Sequence, residues 1–270
     1  MFALVAFVRE RSSALKVVKK LCSPAEFFNY IMIMRCVIVD KRISDGCERA
    51  LRLRGFDPIF LPADPSLGEA VCSHPDTVLF RLENEIFTTA DYCDAAAYVF
   101  SDLREYAPHI KINFTSDIRG SRYPDDCKMN ALVMGRRIFA KTDSLSPTVI
   151  SAARKNGYEL IHTDQGYPAC TVLPLGEKLA ITSDRGMAKV MSRSGIEVTL
   201  ISRGHIALPP HEYGFIGGAS GVCDGEVYFF GSLELHPDAG IIKNTIEAAG
   251  FSAISLSDEP LRDLGGMIFL

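Results

Sequence analysis

Apolar positions along this chain alternate between two periods. Short runs with a period of two come in pairs around a tight polar turn, and stretches with apolar residues three and four apart follow them. The four clearest pairs are residues 77–89 (TVLFRLENEIFTT), 130–142 (NALVMGRRIFAKT), 171–183 (TVLPLGEKLAITS) and 220–232 (SGVCDGEVYFFGS). Their turns fall at Glu83-Asn84, Gly135-Arg136, Gly176-Glu177 and Asp224-Gly225. Asp-Gly is the strongest signal, because a type I′ hairpin turn needs positive φ at both central residues. A fifth, weaker copy spans residues 36–43 and turns at Asp40-Lys41.

Each pair leads into a predicted helix. Ser146-Pro147 and His236-Pro237 place proline at the first helical position, where its missing N–H is harmless. Met187, Val190 and Met191 then share one face, as do Ile242, Ile246 and Ala249. Gly55, Gly157, Gly195 and Gly250 supply left-handed helix stops, each followed by a third apolar run. In the second copy Ala107-Pro108 replaces the glycine, and the third strand is expected at 109–114. The unit is ββαβ, repeated five times at about 40–50 residues. One unit cannot bury both faces of its sheet, so the units must share a core. Five around an axis predict an α/β propeller with helices outside. A hairpin before every helix argues against a doubly wound sheet.

Composition narrows the function more than the fold. The 270 residues are 47% apolar and 23% charged, which suits a globular protein with a sizeable core. Lys and Arg number 29 against 33 Asp and Glu, a net charge of −4. That balance offers no basic excess for nucleic acid or an anionic membrane. No run approaches 18 apolar residues, so no membrane span is expected. Eight cysteines are scattered without CxxC pairs, and the histidines lack zinc-finger spacing. This reads as reduced thiols in a cytoplasmic protein, with neither metal nor cofactor expected. Residues 1–31 differ from the rest. Their apolar MFALVAF run is only seven residues long and precedes its charges, which does not match a secretory signal. A short basic helix at 14–21 is one reading, and a loosely ordered extension is the preferred one. The propeller domain is then residues 32–270, beginning near Met32 or Met34.

The junctions carry Gly217-Gly218 before the last hairpin and Asp263-Leu264-Gly265-Gly266 near the end. With these junctions, the five ββαβ units resemble the pentein superfamily, the guanidino-group-modifying fold of deiminases, dimethylargininases and amidinotransferases. The resemblance covers residues 34–270 and extends to a catalytically silent cousin, the ribosomal anti-association factor. It implies a cysteine nucleophile shortly after the C-terminal glycine run, an upstream histidine, and acids that grip a guanidinium. Here Gly265-Gly266 is followed only by Met267-Ile268-Phe269-Leu270, and Ile216 stands where the family's Glu-Gly-Gly-Asp entry has its acid. Fold does not fix function, so the deiminase chemistry does not transfer directly.

In such a propeller the inter-unit loops converge at the axis, where a small-molecule site would form. Two junctions resemble each other, Arg122-Tyr-Pro-Asp-Asp-Cys127 and Gly166-Tyr-Pro-Ala-Cys170. Cys170 is the candidate nucleophile, paired with a histidine from His205, His211 or His74, of which His211 is preferred. Asp126 is the candidate acid of that set, and Asp125 the group beside it for a cationic substrate. Asp76, Tyr123, Tyr167, Gly218, Ser220 and Asp263 complete the expected substrate-binding surface. The competing reading makes Cys127 and Cys170 small buried strand-entry residues and the Tyr-Pro pairs rigid connectors. Two functions follow. One is an enzyme-like protein binding a small guanidino, amidine or amino-acid-like ligand. The other is a non-catalytic interaction protein resembling the anti-association factor.

Overall fold

A computed structural model describes residues 35–270, and the expectations for residues 1–31 lie outside the described residues. Four sheets follow the predicted pattern. Strands β3 (Phe80–Leu82) and β4 (Glu85–Thr89) pair antiparallel with Arg81 opposite Ile86. The helix Ala97–Tyr106 then returns the chain to β5 (Lys111–Thr115), parallel to β4. The same order holds for β6 (Leu132–Met134), β7 (Arg137–Ala140), helix Pro147–Lys155 and β8 (Glu159–His162). It recurs in β9 (Val172–Leu175), β10 (Leu179–Thr182), helix Arg185–Arg193 and β11 (Glu197–Leu200). The last copy is β12 (Ser220–Cys223), β13 (Glu226–Phe229), helix Ala239–Ala248 and β14 (Ser252–Ser255).

Local chemistry explains these boundaries. Asp224 and Gly225 take φ of +50° and +78°, the conformation the Asp-Gly turn was expected to need. The four helix-stop glycines all have positive φ. Ser146 accepts a hydrogen bond from the Thr148 N–H, capping a helix whose first residue is Pro147. The fifth helix corrects the expectation at His236-Pro237. It begins at Ala239, and the carboxylate of its cap residue Asp238 accepts from the Ser202 N–H instead.

The fifth sheet corrects the sequence reading more substantially. Residues 36–43 do not form a hairpin. Strand β1 (Arg35–Asp40) runs toward Ser44, which caps the helix Asp45–Leu53, and β2 (Phe56–Leu61) follows. The antiparallel partner of β1 is β15 (Ile268–Phe269), with Ile38 opposite Ile268. Neither Asp40 nor Lys41 takes positive φ, and the Asp40 carboxylate is instead gripped by Arg42, at 2.6 Å from Nη2. The sheet order is β15-β1-β2, so the repeat remains fivefold while one unit draws its first strand from the far end of the described chain.

Corresponding positions of the five first strands are Arg81, Val133, Pro174, Val222 and Ile268. Each is half-buried, and all five line one cavity of about 260 Å³. Apolar clusters fill the spaces between neighbouring units. Phe269 packs 4.8 Å from Phe56 and 5.3 Å from Tyr228, joining first and last units. No helix among the described residues is long and apolar enough to cross a membrane. The seven described cysteines are all free thiols.

Candidate functional site

Two short connectors create the site. The chain enters β3 through the single-turn helix Pro75–Val78 and enters β9 through Pro168–Thr171. Both begin with proline, whose fixed φ suits a first helical turn. They set Asp76 and Cys170 side by side, and the thiol Sγ donates to Asp76 Oδ2 at 2.7 Å. Asn130 fastens this pair from the third unit. Its Nδ2 donates to Cys170 Sγ at 3.5 Å, and its Oδ1 accepts from the Ala169 N–H at 2.9 Å.

Asp263 completes the acidic part. Its carboxyl accepts from the backbone N–H groups of Phe215, at 2.9 Å, and Gly265, at 3.1 Å. Gly218 lies directly against it, and a Cβ there would overlap the Asp263 carboxyl. The Gly218 N–H donates to the Cys170 carbonyl at 2.8 Å, while its own carbonyl accepts from Leu264 and Gly266. The Asp76 N–H reaches the Gly265 carbonyl at 3.2 Å. Backbone bonds therefore lock the second, fourth and fifth units and the segment before β15 around one point.

His74 lies beside these acids and is fully buried. Its Nδ1 stands 3.8 Å from Asp263 Oδ1, and its Nε2 stands 3.9 Å from Asp40 Oδ2. Both distances exceed a hydrogen bond, and neither ring nitrogen has a hydrogen-bond partner. A Cβ on Gly265 would strike the His74 side chain, so the bare glycine makes room for the imidazole.

Burial dominates the electrostatics. It pushes the Asp76 carboxyl well above the usual carboxylate range, and the neighbouring Asp263 charge adds to the effect. The Cys170 thiol is raised well above the ordinary thiol value by burial, then by Asp76 and Asp263. Asp263 is pushed up to about 6, again mainly by burial. His74 moves the other way, down to about 3, through burial and then the charges of Arg42 and Arg262. At rest the site therefore holds a protonated thiol and a neutral imidazole. Asp76 keeps partial exposure where it lines the axial cavity, while Cys170 lies behind it.

The structure brings Cys170, Asp76, Asp263 and Gly218 together. Ser220 lines the same cavity, with its hydroxyl donating to the Ile216 carbonyl at 2.7 Å. The remaining candidates lie elsewhere. Asp126 is buried with Tyr167, whose hydroxyl donates to it at 2.5 Å, and with Cys127, at 3.3 Å. The Tyr123 ring lies 6.0 Å from Tyr167 and is half-exposed, and Asp125 is exposed near Lys128. His211 is exposed on a turn closed by its N–H to the Leu208 carbonyl, and His205 is exposed beside His236. Of the three histidines weighed, His74 is the one that faces the acids.

The two Tyr-Pro-containing junctions are also out of register. Cys170 stands six residues before its turn residue Gly176, and Cys127 eight before Gly135. Asn130 and Asp40 are site residues that sequence reasoning passed over. Neither carries a local signal, since each is brought in by pairing between distant units.

Five three-stranded ββαβ units whose junctions meet at one buried acidic point constitute the pentein fold. The structure is similar to SxtG, an amidinotransferase from Microseira wollei in the saxitoxin biosynthetic pathway, at 12% identity and a TM-score of 0.53, covering 83% of this chain and 88% of that one. It is similar to the dimethylarginine dimethylaminohydrolase of Pseudomonas aeruginosa complexed with citrulline, at 9% identity and a TM-score of 0.52, covering 84% and 93%. It also resembles the agmatine deiminase of C. jejuni, at 9% identity and a TM-score of 0.52, covering 83% and 86%. Within that fold, residues 38–268 match the Family of unknown function (DUF6873), and the chain belongs to this family. No curated protein matches the sequence. After Gly265-Gly266 the chain enters β15 through Met267.

Proposed function

We propose that this protein binds a small cationic ligand of guanidino, amidine or amino-acid type in the axial cavity, with Asp76 receiving its positive head and the buried Asp263 adding negative charge behind it. One observation carries the reading. Asp76 lines the cavity beside a second buried carboxyl, and among the described residues no Lys or Arg forms an ion pair with either. A buried carboxyl and a half-buried one side by side without a counter-cation are costly in a low-dielectric setting, and a bound cation offsets that cost. The named activities of the amidinotransferase and the agmatine deiminase, and the citrulline held by the dimethylaminohydrolase, point to the same ligand class.

Chemistry on such a ligand requires the Cys170 proton to pass to Asp76 Oδ2, 2.7 Å away. A guanidinium beside the pair keeps Asp76 ionised as the acceptor and offsets the negative charge that passes to the thiolate. In this reading His74 assists in place of His211, because its ligand atom lies within 4.8 Å of those of Asp76 and Cys170. The free thiols suit a cytoplasmic location.

Calorimetric titration with agmatine, arginine and citrulline, in the presence of a chelator, tests the reading. At least one ligand is expected to bind the full chain, with affinity falling tenfold or more in Asp76→Asn and unchanged in Asp125→Asn. Absence of binding across the panel, or equal affinity in Asp76→Asn, overturns it.

A further inference from the structure

We propose that His74, Asp76 and Cys170 form a binding site for a thiophilic divalent cation of the zinc class. Each offers one ligand atom, and the three atoms lie within 4.8 Å of one another. A tetrahedral zinc with bonds of roughly 2.0–2.3 Å separates its ligands by roughly 3.3–3.8 Å. The observed separations, from 2.7 Å between Sγ and Oδ2 up to that limit, bracket this range. Small side-chain rotations therefore close the site. A thiolate, an imidazole and a carboxylate together select zinc-like ions over magnesium or calcium, which prefer all-oxygen sets.

A second, independent observation is His74 itself. A fully buried imidazole with both nitrogens unpartnered loses the hydrogen bonds it had in water, which native interiors rarely tolerate without a reason. Its potential partners are already committed. Asp40 is held by Arg42 through Nε and Nη2, and Asp263 accepts from Phe215 and Gly265. One of these carboxylates stands behind each ring nitrogen, at 3.8 and 3.9 Å. Whichever nitrogen binds the ion, the other keeps an acidic neighbour just beyond hydrogen-bond distance. Asn130 donates to Cys170, and Thr77 donates to Asp76 at 3.3 Å, so the other two ligands are also oriented.

Asp76 opens onto the axial cavity, which gives an ion an entry path and leaves its fourth position facing that space. Binding displaces the Cys170 thiol proton to solvent, and no bond is otherwise made or broken. The inference does not rest on the ligand reading above. It concerns the same residues in a different state, and a bound ion would withdraw Cys170 from any other chemistry.

The test is cobalt(II) and zinc titration of the full chain after removal of adventitious metal, with no organic ligand present. One equivalent of cobalt is expected to give a sulfur-to-metal charge-transfer absorption, displaced by zinc. That absorption is lost in Cys170→Ser and kept in Cys127→Ser, whose thiol lies with Asp126. His74→Gln is expected to lower zinc affinity at least tenfold. In wild-type protein, bound zinc is expected to protect Cys170 from alkylation and leave Cys72 reactive, a readout needing no variant to fold. Absence of the absorption, its survival in Cys170→Ser, or unprotected Cys170 in saturating zinc overturns the site. Because the guanidino titration is run in chelator, either proposal can fail while the other stands.

Discussion

The thiol of Cys170 and the carboxyl of Asp76 lie 2.7 Å apart although 94 residues separate them in the chain. Both are raised well above their ordinary ionisation ranges by burial. Unfolding releases Asp76 from that burial, so the native state carries the burden of a carboxyl held above its usual range. Asp76→Asn is therefore expected to leave stability at pH 7 unchanged or higher by about 1 kcal/mol, measured as the urea midpoint. A loss of several kcal/mol would show that the carboxylate is a structural anchor.

Asp263 gives a signed pH dependence. It holds its proton to about pH 6 in the folded protein, against an ordinary value of 3.8. Below pH 4 both states are protonated and the group adds no penalty. Between pH 4 and 6 the unfolded chain loses the proton first, so this contribution to stability falls as pH rises, by an amount of order 3 kcal/mol. Asp263→Asn lacks that titration. The variant is expected to gain on wild type by that amount from pH 4 to pH 7, while the opposing effect of His74 is common to both. A pH-independent difference between the two denaturation curves would contradict the assigned shift.

Gly218 tests the packing of the junction. A Cβ there would enter the Asp263 carboxyl, which is itself tied to backbone on both oxygens. Gly218→Ala is expected to destabilise by about 3 kcal/mol, the upper end of ordinary overpacking. Gly68→Ala is the control, since nothing lies within 4 Å of an added Cβ there. Its expected change is under about 0.5 kcal/mol by thermal or urea denaturation.

The thiols should modify in a definite order. Cys72, Cys93 and Cys223 are partly exposed, whereas Cys36, Cys127 and Cys170 are buried. Burial also pushes the Cys36 thiol up to about 12 and raises Cys127 and Cys170. Iodoacetamide at pH 8 is expected to label the first three at least tenfold faster than the second three, read by peptide mass mapping. A Cys170 that labels with the first group in apo protein would mean a thiolate at rest.

Phe269 joins the two ends of the repeat. Its ring contacts Phe56 and Tyr228 in a cluster drawn from the first and last units. Phe269→Ala is expected to cost about 3–5 kcal/mol, because it removes a buried ring and loosens β15 at once. An effect below about 1 kcal/mol would show that closure of the first sheet contributes little to stability.

Four of the five units were legible because their signals are local. Asp224-Gly225 specifies its turn within two residues, and Gly195 ends its helix by its own conformation. The first unit was not, because β1 finds its partner 230 positions away along the chain, through the pair Ile38 and Ile268. A two-residue strand carries no periodicity of its own. The site divides the same way. Cys170, Asp76 and Asp263 stand at junctions that the repeat itself marks. The choice of His211 over His74 had no local evidence to correct it, since only the assembled units show which imidazole is buried against acids.

The pairing of β1 with β15 also sets an order of events during synthesis. Arg35–Asp40 leaves the ribosome before the other described strands, yet the edge it offers to Ile268–Phe269 stays unpaired until nearly the whole described chain has been made. The later units form their hairpins from neighbouring sequence, while the first waits on the last. During that interval β1 presents open backbone groups and the apolar Val37 and Val39, the kind of edge that invites pairing with another nascent chain. The repeat that borrows its first strand from the far end of the described chain is thus the one most exposed while it is being built.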